Sequence, residues 1–180
     1  MDDAESSERR VHTSVEVRDG IALLTLRRPE VRNALGTQMR AELRDLAYEF
    51  ASDSAVRGVI LTGEGTSFCS GGDLKEMHAL RESSLESGIA RYLHDSMATV
   101  LALRSLGKPM IAAVNGPAVG AGFGLALLAD LRVVAADAWF AAPFVERGLM
   151  PDWGLSYSLA EVRGPGEGQI PVAVRRALRC

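Results

Sequence analysis

Apolar residues along this chain follow two spacings, and each change of spacing marks a change of element. In "SVEVRDGIALLTL", Asp19-Gly20 separates two runs rich in β-formers, the pattern of a hairpin, so two paired strands are expected to open the fold. Leu35, Met39, Leu43, Leu46, Ala47 and Phe50 then recur at helical intervals and predict an amphipathic helix ending near "ASDS". "VRGVILTG" reads as a buried strand. After the loop "EGTSFCSGG", Asp73 precedes Glu76 by three residues, which predicts a helix with a capping side chain and an acid in its first turn. A further helix is expected to bury Ile89, Leu93, Met97 and Val100, to run to Gly107 and to stop before Pro109.

The longest apolar run lies between Met110 and Ala129, which carries no formal charge. Its length is that of a membrane span, and Gly116, Gly120 and Gly124 repeat the G-x-x-x-G spacing of packed membrane helices. Asn115-Gly116-Pro117 in its interior argues otherwise, because proline lacks the N–H and turns its predecessor away from helical dihedrals. The run therefore divides into a strand, "MIAAV", and a short buried helix, "FGLALLAD". Strand "LRVVAAD" and the short stretch "AWFAAP" follow. Strands separated by crossover helices predict an α/β protein of one domain, and 180 residues suffice for one sizeable core.

Composition narrows the function. Charged residues make up 24% of the chain and the formal net charge is −3, so no basic surface recruits nucleic acid. The two cysteines, Cys69 and Cys180, form neither a metal spacing nor a disulfide framework, and His12, His78 and His94 show no ligand spacing, so no metal site is expected. The charged start "MDDAESSERR" has no apolar core, which excludes a signal peptide within it and leads to the expectation of a cytoplasmic protein that does not enter a membrane.

Two segments share one design: "LTGEGTSFCSGGDLKEM" and "AAVNGPAVGAGFGLALL" each run from a buried strand through small residues into a helix start. A helix N-terminus exposes unpaired N–H groups and positive potential, so two such ends facing each other would form an oxyanion hole. The competing account is that the small residues only allow close packing. A dinucleotide site fits less well, since the residue three after Gly122 is Leu125 and no "GKS" or "GKT" occurs.

"FCSGGDLKEM", followed by "KPMIAAVNGPAVGAGFGLALLADLRVVAADAWF", resembles the enoyl-CoA hydratase/isomerase, or crotonase, family, and the likeness extends over residues 15 to 164. The resemblance implies a spiral of β-β-α units that binds an acyl-CoA thioester, with coenzyme A entering as part of the substrate and no separate cofactor. Main-chain donors to the thioester oxygen would be Gly72 and Ala121. Ser70, Gly71, Asp73, Leu74, Gly120 and Phe144 would border the substrate, and Arg27, Arg28 and Arg32 lie where the family wraps the nucleotide end of CoA. Chemistry beside that carbonyl passes through an enolate or tetrahedral oxyanion, and losing one donor to it costs about 2.7 to 4 kcal/mol of transition-state stabilisation.

The family's hydratases use two glutamates as acid and base. The matching positions here hold Gly124 and Phe144, so ordinary hydration is not expected. Asp152 in "MPDWG" is the leading replacement, because isomerases and a dehalogenase of the family carry an aspartate at the matching place. It would shuttle a proton between carbons of an enoyl-CoA or attack an aryl-CoA ring; as a purely structural residue it would form a turn or helix cap. Glu146 is the second candidate, on the side of Phe144 if the segment is extended and nearly opposite if it is helical. Ser70 and Cys69 lack the G-x-S-x-G frame and a partner histidine, and Trp153 could line an acyl pocket or serve the core.

The expected organisation is a disordered segment at 1–10, an acyl-CoA domain at 11–164 and a divergent tail at 165–180, "GEGQIPVAVRRALRC" being its greater part. The family's C-terminal helices have no counterpart in the sequence. Its tendency to form homotrimers or hexamers is therefore in question here. The expected activity is isomerase-type. The alternatives are an inactive acyl-CoA-binding protein and a truncated product without function.

Overall fold

In the computed structural model, residues 10–83 and 85–163 are described. Strand β1 (Thr13–Arg18) turns through Asp19 and Gly20, both at positive φ, into β2 (Ile21–Leu26), and the two pair antiparallel with Arg18 opposite Ile21. Positive φ at both central residues matches the right-handed twist of the flanking strands, which is why Asp-Gly closes the hairpin. Strands β3 (Gly58–Gly63), β4 (Met110–Val114) and β6 (Leu131–Val134) then add in parallel, giving the order β1-β2-β3-β4-β6. The first two crossovers use helices: α1 (Thr37–Ser52) leads to β3, and α2 (Leu74–Ser83) with α3 (Leu85–Arg104) leads to β4.

A second, narrower line of pairing runs beside this sheet. Strand β5 (Ala118–Val119) pairs in parallel with β7 (Phe140–Ala141), and single bridges join Cys69 to Ala118 and Leu35 to Gly72. Each circuit of the chain thus adds a long strand to the main sheet and a short pairing to the minor line. Helix α4 (Ala121–Leu128) closes the third circuit and α5 (Leu155–Arg163) follows the fourth. The expected β-β-α spiral is the observed fold. Leu24, Leu26, Leu43, Leu46, Leu61, Ala112 and Leu125, all 1% exposed or less, lie in the core between the sheet and its helices.

The uncharged run from Met110 to Ala129 is indeed interrupted, by a turn at Asn115-Gly116-Pro117, and β5, an element the residue pattern did not reveal, follows that turn. Every residue of α4 is buried, and among the described residues no helix is long and apolar enough to cross a membrane. Helix α3 departs from expectation. Leu93 and Met97 are half exposed, whereas Tyr92, Ser96, Thr99 and Val100 are buried, and the helix ends at Arg104 rather than Gly107. Packing against α1 selects this stripe, with Thr99 Oγ1 donating to the Arg40 carbonyl at 3.2 Å, so tertiary contact overrides the more apolar face.

The core face of α1 also holds two charges. Burial alone would raise the pKa of Glu42, but hydrogen bonds from Gln38, Thr13 and the Val11 and His12 amides overcome it and hold the carboxyl below its ordinary value. This carboxylate pins β1 to α1. Of the segment 1–10 only Arg10 is described, and its guanidinium pairs with Glu49. The tail 165–180 lies outside the described residues.

Candidate active site

The two glycine loops cross. Phe68 and Cys69 amides donate to the Pro117 carbonyl at 3.1 and 3.2 Å, and Val119 returns its N–H to Cys69 at 2.9 Å. A β-carbon on Gly71 would lie 2.6 Å from the Val119 carbonyl and 3.3 Å from the Ala121 nitrogen, and β-carbons on Gly116 and Gly122 would strike the Thr66 and Cys69 carbonyls. The glycines at 71, 116 and 122 therefore let one backbone cross another. Gly120 differs: it adopts φ 56°, and the nearest atom to its absent side chain is Phe144 Cζ at 3.8 Å, so space remains there. Of these four glycines, only Gly120 leaves open space beside it.

The crossing edges a cavity of about 460 Å3. Gly72, Ala121 and Asp152 line it, as do Ser70, Gly71, Asp73, Leu74, Gly120 and Phe144, so the expected main-chain donors, the leading acid–base candidate and the expected substrate neighbours border one space. A second cavity, of about 660 Å3 and lined by Arg104, Lys108 and Asp130, contains none of them. Among the described residues neither the Gly72 amide nor the Ala121 amide donates a hydrogen bond. Ala121 is the first residue of α4, where a helix has no internal acceptor for its N–H.

Asp152 supplies the titratable group. Its Oδ1 is buried and has no hydrogen-bond partner among the described residues. Burial pushes its carboxyl up to about 6, against the opposing effects of its own backbone N–H and the Arg40 charge. The backbone of Asp152 also makes a turn, accepting from Leu155 N–H at 3.0 Å. Trp153, 1% exposed, and Gly154 follow at φ 52° and 68°, so two consecutive left-handed residues aim the aspartate.

The other candidates separate clearly. Asp73 caps α2 through Lys75 and Glu76 amides at 3.1 and 3.4 Å and accepts from Arg28 at 3.1 Å. Ser70 Oγ donates to the Val31 carbonyl at 3.1 Å. Burial pushes the Cys69 thiol up to about 12, which disqualifies it as a thiolate nucleophile. Glu146 sits exposed on a 3-10 turn, Val145–Arg147, so the helical alternative applies and it does not border the cavity. Arg27 pairs with Glu64 at 3.1 Å on the surface, Arg28 is committed to Asp73 and the Ala34 carbonyl, and Arg32 borders the cavity. None of the histidines lines it.

At the first hydratase position, Gly124 has no room. A β-carbon there would lie 2.7 Å from Trp153 Cβ and 2.8 Å from its carbonyl oxygen. Two groups escaped the sequence reading: Tyr92, which lines the cavity, and Arg40, whose guanidinium lies 4.2 Å from the Tyr92 ring centroid. A signal for Arg40 did exist, since it shares the helical face of Leu43 and Ala47 in α1.

Two unengaged amides and a half-buried carboxyl group around one cavity, in a spiral α/β fold, are an arrangement able to polarise a carbonyl and move a proton beside it. The sequence profile described as Enoyl-CoA hydratase/isomerase matches residues 16–169, and the chain belongs to that family. It is 40% identical over 145 residues to "Probable enoyl-CoA hydratase EchA14" of Mycobacterium tuberculosis (strain ATCC 25618 / H37Rv), covering 81% of this chain and 55% of that protein. It is 36% identical to 4-chlorobenzoyl coenzyme A dehalogenase-2 of Arthrobacter sp, covering 85% and 55%. The crystal structure of an enoyl-CoA hydratase from Polaromonas sp. JS666 superposes with a TM-score of 0.78 at 36% identity, covering 83% of this chain and 58% of that one. The chain spans about half the length of the curated relatives it matches.

Proposed function

We infer that this chain acts on an acyl-CoA thioester by proton transfer beside the carbonyl, as an isomerase rather than a hydratase. The observation that supports this most is the meeting of two unengaged amides, at Gly72 and Ala121, with the unpartnered Oδ1 of Asp152 around one cavity. In this reading the amides hold the thioester oxygen and stabilise it as it gains enolate charge. Asp152, with a pKa of about 6, is mostly ionised at neutral pH and takes a proton from one carbon; once protonated, it returns the proton to another. Coenzyme A is part of the substrate, and the chemistry requires no metal or redox group.

The test is purified protein mixed with 2-enoyl-, 3-enoyl- and dienoyl-CoA, followed by absorbance. Turnover that disappears in Asp152→Asn supports the assignment; turnover unchanged by that substitution removes Asp152 from the mechanism. A second reading, an acyl-CoA-binding protein without turnover, draws support from the packing of Trp153 against Gly124, which leaves no place for the hydratase acid. Thioester binding by calorimetry with no turnover on the whole panel would favour it.

A further inference from the structure

Among the groups around the cavity, Tyr92 has no task in the reading above. It is 5% exposed on α3 and borders the cavity with Gly72, Ala121 and Asp152. Its hydroxyl oxygen stands 2.5 Å from where a β-carbon on Gly72 would be, so the phenol abuts the residue whose amide is unengaged. The ring is held from behind. Arg40 stacks on it and is itself fixed by hydrogen bonds to the Leu35 carbonyl at 2.9 Å and Thr37 Oγ1 at 3.2 Å.

The groups facing the phenol are Asp152 before α5, Arg40 on α1, Glu76 on α2 and Ser96 one turn along α3. Glu76 is occupied by the Thr37 amide and hydroxyl, and the buried Ser96 hydroxyl lies near the phenol, where it acts to lower the phenol's pKa. Burial, with the Asp152 charge adding to it, pushes the phenol up to about 12, so it stays a neutral donor across the working pH range.

We propose that the Tyr92 hydroxyl donates a hydrogen bond to the thioester oxygen of bound acyl-CoA as that oxygen gains enolate charge, together with the Gly72 and Ala121 amides. The inference rests on the acyl-CoA reading and adds a side-chain donor to its main-chain pair. A hydrogen bond to an ionised acceptor is roughly twice as strong as one between neutral groups, so this donor discriminates enolate from ground state.

The test uses Tyr92→Phe, which keeps the ring and its stacking on Arg40 and removes only the oxygen. Two probes are titrated at pH 8: butyryl-CoA, a saturated thioester, and acetoacetyl-CoA, whose acidic α-carbon allows it to bind as an enolate with near-ultraviolet absorbance. The expected result is a loss of about tenfold or more in affinity for acetoacetyl-CoA, with weaker enolate absorbance, and a change of under about threefold for butyryl-CoA. Equal losses on both probes would mark Tyr92 as structural and overturn the proposal, as would unchanged binding of both. If the unsubstituted protein binds neither thioester, the acyl-CoA reading falls and this inference with it.

Discussion

Replacing Asp152 by asparagine should stabilise the protein at pH 8 and lose most of that benefit at pH 4. The carboxyl is raised from 3.8 to about 6 by burial, so the folded state binds its proton more tightly than the unfolded state does. Stability therefore falls as pH rises from about 4 to 6, where the unfolded chain has released the proton and the folded chain still holds it. Above that window the full cost of ionising a buried carboxylate applies. The gap between 3.8 and about 6 corresponds to about 3 kcal/mol at pH 8 and less than about 1 kcal/mol at pH 4. Asparagine has nearly the same shape and does not ionise, so packing and hydrogen-bond differences between the two proteins are constant with pH. The difference in stability between them should widen by about 2 to 3 kcal/mol from pH 4 to pH 8. With a urea slope of about 2 kcal/mol per M, the midpoints separate by an additional 1 M or so. Urea melts of both proteins at pH 4, 6 and 8 provide the measurement. A stability difference that stays constant over this range would refute the buried, charge-averse setting assigned to Asp152, and with it the argument that the group is tuned for proton transfer.

Gly124→Glu, which restores the hydratase acid by sequence, should yield no hydration of 2-enoyl-CoA and should lower stability by at least about 1 to 3 kcal/mol, because Trp153 already fills the space. Hydratase activity in that variant would show that the residue 153 backbone yields more readily than its packing implies. Arg40→Gln removes the positive charge that holds the Asp152 pKa down, so the acid limb of any activity that depends on ionised Asp152 should move above pH 6. A pH–rate profile identical to that of the unsubstituted protein would disconnect Arg40 from the site.

The main sheet was readable because its strands carry strong local signals: Asp19-Gly20 demanded a hairpin, and "GVILTG" and "MIAAV" are apolar runs of strand length bounded by turns. Strands β5 and β7 were not, since two residues carry no periodicity and their pairing is decided across a chain separation no window spans. The site loops were visible as a repeated strand, small-residue and helix design. Close packing was one of the two accounts their glycines allowed, but its partners were hidden, because contacts such as Gly122 against the Cys69 carbonyl exist only after the two loops meet. Tyr92 was missed on the same ground: on α3 the more apolar residues Leu93 and Met97 point outward, and packing on α1 turns the tyrosine toward the cavity.

The contact between Trp153 and Gly124 also bears on which side chains this backbone can hold. A carboxylate at 124 requires residue 153 to retreat, main-chain oxygen included, and that retreat would release the left-handed turn that aims Asp152. A carboxylate at 124 and the present turn at 152–154 therefore compete for the same space in this backbone.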